Sequence, residues 1–471
     1  TEIYTLSLHD ALPISLFLAI ALIAGALAGV ARADSAPDRR NPRIMDITDF
    51  GAKGDGIADD SGAVRAALAA ARQLDFDYVM VYAPPGCYRL ASPVSAPLLT
   101  GSSHICFSGV SPAATVFRID NPEGGFHFTF EGGGRKDRMD FVNFAMEVTN
   151  QNTGYFLRIV GPPGGGVTDK YDARLENLVF GSEDGNAKSR YGVSGAAGNC
   201  VYLYALKRAI INRCTVWNTP SAVSDNAALP RSILALENCY KPYIQNSYFN
   251  GAARVGLLFE NRTPEGEIER TEGTYIQNCT INGPLTSCLV RNSGPEFWFM
   301  NNHCNFRLHG LSIADGRKYI YLQNNLMYIP GNDDVKALPR GDVPWHAPQG
   351  VTDFHLHKVA NAVIGGNILR TVVRAAEAHP SSLVRTHYHL AGCRYVSIRD
   401  DKYAAQSIRQ PIYADATSGL FIALHDQGWQ MDFSDYRCRL PDDQVEYTSS
   451  VTGKLRFDGL AETTEIFFNR P

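Results

Sequence analysis

Eight short segments of this 471-residue chain can be laid over one another, and that repetition limits what it can fold into more than any other feature. They are RLENLVF (174–180), IINRCTV (210–216), YIQNSYF (243–249), YIQNCTI (275–281), WFMNNHC (298–304), YLQNNLM (321–327), VIGGNIL (363–369) and SIRDDKY (397–403). Each is too short and too rich in β-branched or aromatic residues for a helix, and each is bounded by Asn, Gly or Pro. Successive starts lie 36, 33, 32, 23, 23, 42 and 34 residues apart, so the shortest step recurs and the longer ones carry insertions. A period in the twenties with extra residues in loops is the signature of a solenoid. Strands that pair only with the coil above and the coil below make a parallel β-helix, here of about ten coils. Asparagine at one repeated corner agrees with this, because it tolerates a left-handed backbone and its amides can hydrogen-bond from coil to coil.

A second column precedes the first. The strand ends LALEN, LLFEN, CLVRN, SIADG and FHLHK are expected to place Glu237, Glu260, Arg291, Asp315 and His357 at equivalent positions along one groove. Stacked strands lie about 4.8 Å apart. Two carboxyl groups hydrolyse a glycosidic bond with retention at about 5 to 5.5 Å and with inversion at about 6.5 to 9.5 Å. Glu237 with Glu260 suits the first separation, and Glu260 with Asp315 the second. Arg291 could grip a substrate carboxylate through two hydrogen bonds. In a lyase it would stabilise the acidified sugar while His357 removes a proton. The same column also reads as a solvated salt-bridge ladder on a coil edge.

His355 and His357 alternate with Phe354 and Leu356, which predicts two exposed histidines on one strand face. Asp353 and His355 are candidate substrate contacts there. So is Trp345, in the Pro- and Gly-rich insertion 328–350, where an indole could stack on a sugar. Trp217 and Trp298 read as core or corner residues.

Near the start, DFGAKGDGIADDSGAVRAALAAARQ (49–73) runs from an acidic, glycine-punctuated loop straight into an alanine-rich helix. Asp60 or Ser61 is the expected N-cap, and Gly51, Gly54 and Gly56 permit the turns that lead there. The spacing matches neither a calcium loop nor a phosphate loop, so the stretch is read as architecture. Together with YVMVYAPPGCYRL (78–90) and HICFSGVSPAATVFRI (104–119), it resembles the opening of the pectate-lyase superfamily, a group with polygalacturonase-like and rhamnogalacturonase-like enzymes, epimerases and phage tailspikes. Over residues 47–119 the resemblance implies the helix-capped first coil of a right-handed parallel β-helix. It carries over no catalytic residue. LHGLSIADGRKY (308–319) has Leu308 where the polygalacturonase G-H-G motif has its first glycine, and DFHLH (353–357) lacks the proline of the epimerase D-P-H motif.

Residues 16–30, LFLAIALIAGALAGV, form one uncharged apolar run, and Ala31 and Ala33 follow with the spacing a signal peptidase requires. The expected organisation is therefore an assembly artefact over 1–15, a signal peptide over 16–33, a β-helix over 34–402, and a β-rich cap or extension over 403–471. Export to the periplasm or beyond follows, with no membrane association after cleavage. The ten cysteines include no C-x-x-C pair, so zinc clusters are not expected, and free buried thiols compete with disulfides. A net charge of −4 offers no basic footprint for nucleic acid.

These features point to a secreted enzyme acting on an acidic polysaccharide such as pectin or rhamnogalacturonan. A hydrolase would work through Glu237, Glu260 and Asp315, with no cofactor. A lyase or epimerase would use Arg291 and His357, and a lyase could add a calcium ion. A non-catalytic glycan-binding or adhesion protein is the reading from another class. Oligomeric state is not legible.

Overall fold

The first residues of the eight segments stand opposite one another on successive coils: Arg174, Ile210, Tyr243, Tyr275, Trp298, Tyr321, Val363 and Ser397. This register comes from a computed structural model that describes residues 43–74, 78–98, 104–130, 137–148, 154–162, 171–181, 199–218, 230–251, 253–261, 273–291, 294–314, 318–329, 350–371, 384–399 and 401–403. Beyond these it describes the strands 412–415, 418–425, 437–439, 444–446, 455–458 and 465–469. All fall in one compact unit, Pro42–Pro471. The expected artefact and signal segments lie outside the described residues, as do Asp315 and Trp345.

The chain is a right-handed parallel β-helix. The ladder begins earlier than the repeats suggest: Arg174 stacks on Asp140, Cys106, Met80 and Ile44 in turn. It also continues past residue 402, where Ile412–Asp415 pairs with Val384–Ala391 and Leu455–Asp458 pairs with Ile412–Asp415, both in parallel. One sheet alone counts twelve strands among the described residues. A short antiparallel hairpin, Arg437–Arg439 with Gln444–Glu446, breaks the parallel rule.

The asparagine corner has the backbone its residue type predicts. Asn177 and Asn246 sit at φ 51°, Asn278 at 55°, and Asn301 and Asn324 at 56°, with Gly366 replacing asparagine at 67°. The residue after each corner turns inward and builds a buried ladder. The Asn302 carboxamide oxygen accepts from Cys279 N at 2.9 Å, Asn325 accepts from Asn302 N at 2.9 Å, Asn367 accepts from Asn325 N at 2.9 Å, and Asp401 accepts from Asn367 N at 2.6 Å. Each amide also donates to a carbonyl of an earlier coil, as Asn325 does to Phe299 at 2.8 Å. Corner groups that would be stranded away from water are thereby satisfied. The Tyr388 hydroxyl donates to Asp401 at the end of the ladder.

The interior is filled by one inward residue column per sheet position. Phenylalanines dominate the early coils, with Phe107, Phe117, Phe126, Phe141 and Phe144 in mutual contact. Leucine, isoleucine and valine dominate later ones. Nine of the ten cysteines, from Cys87 to Cys393, are free thiols, and eight of these are buried. Trp217 and Trp298 are half-buried rather than core residues. Trp298 lies between Tyr275 and Tyr321 in a stack of parallel rings.

The helix Ser61–Arg72, α1, buries Val64, Ala67, Leu68 and Ala71, a single stripe at helical spacing, against the strand Val94–Leu98 and the turn Ile47–Phe50. Its start differs from expectation. Asp60 occupies the N-cap but makes no cap bond. Its buried carboxylate instead reaches back to accept from Lys53 N at 2.6 Å and Gly54 N at 3.3 Å, closing the glycine loop. Asp59 does the capping, accepting from Ser61 N at 3.0 Å and Ser61 Oγ at 2.6 Å. Its carboxyl is held below the usual range: burial opposes this, but the Ser61 hydroxyl, Ser61 N–H and Ala91 N–H outweigh it. Gly54 has φ 61°, and a Cβ there would lie 2.9 Å from the Tyr88 ring, so the loop needs glycine at that point.

Candidate functional site

The strand Ser232–Glu237 turns Leu234 and Leu236 into the core and leaves Ala235 and Glu237 on the outer face of the twelve-stranded sheet. The next two strands, Val255–Glu260 and Thr286–Arg291, repeat the pattern, so Glu237 lies opposite Glu260 and Glu260 opposite Arg291. Three of the five expected column members are therefore neighbours. The residue opposite Arg291 is Ala314, because SIA rather than IAD aligns with LVR; Asp315 itself lies outside the described residues. Leu356 faces Ile313, which sets His357 beside Ala314, two coils from Arg291.

Both glutamates are nearly closed off from solvent, at 2% exposure for Glu237 and 8% for Glu260. Arg231, just ahead of the strand, binds both: Nη1 donates to Glu237 Oε1 at 3.1 Å and Nη2 to Glu260 Oε2. The Tyr202 hydroxyl, one coil back, donates to Glu237 Oε2 at 2.8 Å, and Arg291 Nη1 lies 3.7 Å from Glu260 Oε1. Burial raises the Glu237 carboxyl above the ordinary glutamate range. The Tyr202 hydrogen bond and Arg231 oppose the shift, and the Glu260 charge adds to it. Burial, and then Glu237, push the Tyr202 phenol up as well. Arg158 lies 5.8 Å from the Tyr202 ring centroid and 6.0 Å from that of Tyr155. Arg254 is lowered by burial and by the like charge of Arg231. Two guanidiniums, of Arg231 and Arg291, thus contact the two carboxyl groups, with Arg158 over the Tyr202 ring and Arg254 in the field of Arg231.

Sequence reasoning missed Arg231, Tyr202, Arg158 and Arg254. Arg231 and Arg254 lie just ahead of their strands, outside the repeat, and Tyr202 and Arg158 stand at strand positions that the charge column does not pass through. The one available signal was the period-2 offset of Tyr202 from Tyr204, the residue opposite Glu237.

A second cluster lies further along the same face. Ser312 Oγ is 2.8 Å from His355 Nδ1, the His355 ring is 5.1 Å from His389, and His309 is 6.4 Å from His355. The expected exposure of His355 and His357 is not found, since both are buried, although Phe354 and Leu356 do face the core as alternation requires. Burial pushes His309 down to about 4, helped by His389, and burial pushes His389 down to about 4, helped by His357. Asp353 does not share their face. It points inward, 2.5 Å from His387 Nδ1, and its charge reaches the core thiol of Cys304, so it cannot contact a substrate on the outer surface. Among the described residues no group of three or more His, Cys, Asp or Glu could hold a metal ion, and no helix is long and apolar enough to cross a membrane.

A family model described as rhamnogalacturonase A/epimerase, pectate lyase-like, matches residues 44–332. DFA-IIIase of Arthrobacter chlorophenolicus A6, solved without its lid, is 13% identical, with a TM-score of 0.54 over 88% of this chain and 98% of that one. The same enzyme solved in a second structure is 14% identical, with a TM-score of 0.51 over 90% and 94%. The Streptococcus pneumoniae surface protein and adhesin PfbA is 13% identical, with a TM-score of 0.43 over 90% and 99%. At these identities the likeness concerns the fold alone. No curated protein matches the chain.

Proposed function

The chain belongs to the rhamnogalacturonase A/epimerase, pectate lyase-like family, and from that premise we propose that it is an exported enzyme that hydrolyses an acidic polysaccharide, with Glu237 and Glu260 as its working carboxyl pair. The observation that carries this reading is the pairing of the two on adjacent coils, held by Arg231 and flanked by Arg291. Adjacent coils lie about 4.8 Å apart, close to the separation of about 5 to 5.5 Å at which a carboxyl pair retains configuration. Glu237, raised by burial, would protonate the leaving oxygen. Glu260, between Arg231 and Arg291, would supply the carboxylate that attacks the anomeric carbon. Two further guanidiniums, Arg158 over the Tyr202 ring and Arg254 in the field of Arg231, add positive charge around the pair and favour a sugar polymer that carries its own carboxylates.

Burial of both glutamates supports a second reading, in which the network is an internal ion-pair cluster of a glycan-binding protein that cleaves nothing. A lyase built on Arg291 and His357 has less support, because the Ala314 coil separates them.

Purified acidic and neutral polysaccharides, assayed in parallel for new reducing ends and for the ultraviolet absorbance of unsaturated uronates, separate these reactions. A hydrolase yields reducing ends without absorbance, and a lyase yields both. Acidic polymers that yield neither product would sink the enzymatic reading.

A further inference from the structure

We propose that Lys318, Tyr319, Arg394 and Tyr395 form a binding ridge for acidic polysaccharide, separate from the Glu237 and Glu260 pair. The sequence carries a basic residue followed by tyrosine at both places, and the register puts them in one line. Lys318 faces Ala360, which faces Arg394, and Tyr319, Asn361 and Tyr395 follow in the next column. The two basic–aromatic pairs are thus two coils apart, about 9.6 Å along the axis. That distance is close to the length of two pyranose units in an extended chain.

The backbone at this corner is costly for tyrosine. The column runs Lys241, Gly273, Glu296, Tyr319, Asn361, Tyr395, all left-handed, with φ 62° at Tyr319 and 56° at Tyr395. Glycine and asparagine accept that conformation, whereas a bulky side chain there is an outlier that marks strain. Both tyrosines are also exposed, at 48% and 66%, and Lys318 and Arg394 beside them are exposed too. Packing therefore does not explain either aromatic ring.

The neighbouring rings show the contrast. Tyr243, Tyr275, Trp298 and Tyr321 stack face to face at 4.7, 4.2 and 5.5 Å, so their faces are occupied by one another. Neither Tyr319 nor Tyr395 stacks on another ring among the described residues, which leaves two exposed aromatic rings two coils apart. A pyranose presents a C–H face that buries well against such a ring. Lys318 and Arg394, one residue away, supply the charge for a carboxylate on the same sugar. Asn361, between the tyrosines, offers an amide to a hydroxyl. Glu296, one coil before Tyr319, lies in the field of Lys241 and ends the ridge on that side.

Affinity electrophoresis of the full chain in native gels tests this, with polygalacturonate, its methyl-esterified form and a neutral glucan as probes. Polygalacturonate should retard the wild type, and retention by the ester should be about tenfold weaker. Tyr319→Gly with Tyr395→Gly should abolish retardation while the melting temperature stays level or rises, because glycine relieves the left-handed strain. Lys318→Ala with Arg394→Ala, at exposed positions that leave the fold intact, should remove the preference for the acidic polymer. Glu260→Gln should still be retarded, which separates this ridge from the cleavage site. Wild-type retardation of either double variant, equal retardation by ester and acid, or no retardation of the wild type would overturn the proposal.

Discussion

Glu237 stands opposite Glu260 on the next coil, and the single guanidinium of Arg231 bonds both carboxylates. Two like charges one coil apart in a buried setting would repel strongly, and the shared arginine is what makes the pair tolerable. Arg231→Met should therefore cost about 3 to 5 kcal/mol, the range for breaking a buried ion pair from one side. The loss should be smaller in acid. Burial already holds the Glu237 carboxyl above the ordinary glutamate range and Arg231 opposes this, so without the guanidinium Glu237 rises further and stability falls as pH increases through it. Urea melts of wild type and variant at two pH values would show it, and an equal loss at both would refute it.

Under the hydrolase proposal, Glu237→Gln and Glu260→Gln should each lower turnover by about 100-fold to 10,000-fold without altering the melting temperature by more than a few degrees. Reducing-end assays on a polymer the wild type cleaves provide the check. Normal rates in both variants would move the chemistry away from this column.

Stability should decline with acid over a defined window. His309 and His389 are pushed down to about 4, whereas an unfolded histidine titrates near about 6.5. The unfolded chain takes up those protons first, so the contribution is full above about pH 6.5 and disappears on the way to about pH 4. Each histidine contributes up to about 3 kcal/mol. Denaturation midpoints between pH 7 and pH 5 should slope less in His309→Gln than in the wild type.

The acidic loop before α1 should matter to folding and not to turnover. Asp60→Ala strands the Lys53 and Gly54 amides, at about 1 to 3 kcal/mol for a buried donor left unpaired. Asp59→Ala removes the bonds to Ser61 and should cost about 1 kcal/mol. Thermal melts together with turnover numbers test this, and lost activity at unchanged stability would contradict it.

Two asparagines at the same corner should behave in opposite ways. Asn325→Ala unties Asn302 N and the Phe299 carbonyl inside the helix, at about 1 to 3 kcal/mol for each group. Asn246 is exposed with φ 51°, so Asn246→Gly should change stability by less than about 1 kcal/mol. A pair of urea titrations suffices to compare them.

The stacking of the eight segments was readable because a solenoid encodes its register locally. Each strand pairs with its sequence neighbour in the ladder, so aligning YIQNSYF with YIQNCTI already aligns Tyr243 with Tyr275. Of the four earlier coils, only DFVNFAM (140–146) keeps the corner asparagine, Asn143 at φ 63°, whose side chain accepts from Asn177 at 2.8 Å; the three before it carry Gly109, Ala83 and Ile47 there, so no repeated residue marks them. The position opposite Arg291, expected for Asp315, belongs to Ala314 for a related reason. A period-2 strand shifted by one residue keeps its hydrophobic look, and only pairing distinguishes SIA from IAD.

The sequence by itself determined the parallel β-helix, the left-handed asparagine corner and the adjacency of Glu237, Glu260 and Arg291, since all three follow from a local repeat. Tertiary structure alone decided which groups meet across the coils and how they are charged. Arg231 comes from a connection outside the repeat, Tyr202 from the preceding coil, and Asp353 turned inward to His387 where alternation alone would have left it beside His355. Burial did the rest. It raised Glu237 and lowered His309 and His389, because solvent exclusion depends on what packs over a side chain, and no local pattern of residues records that.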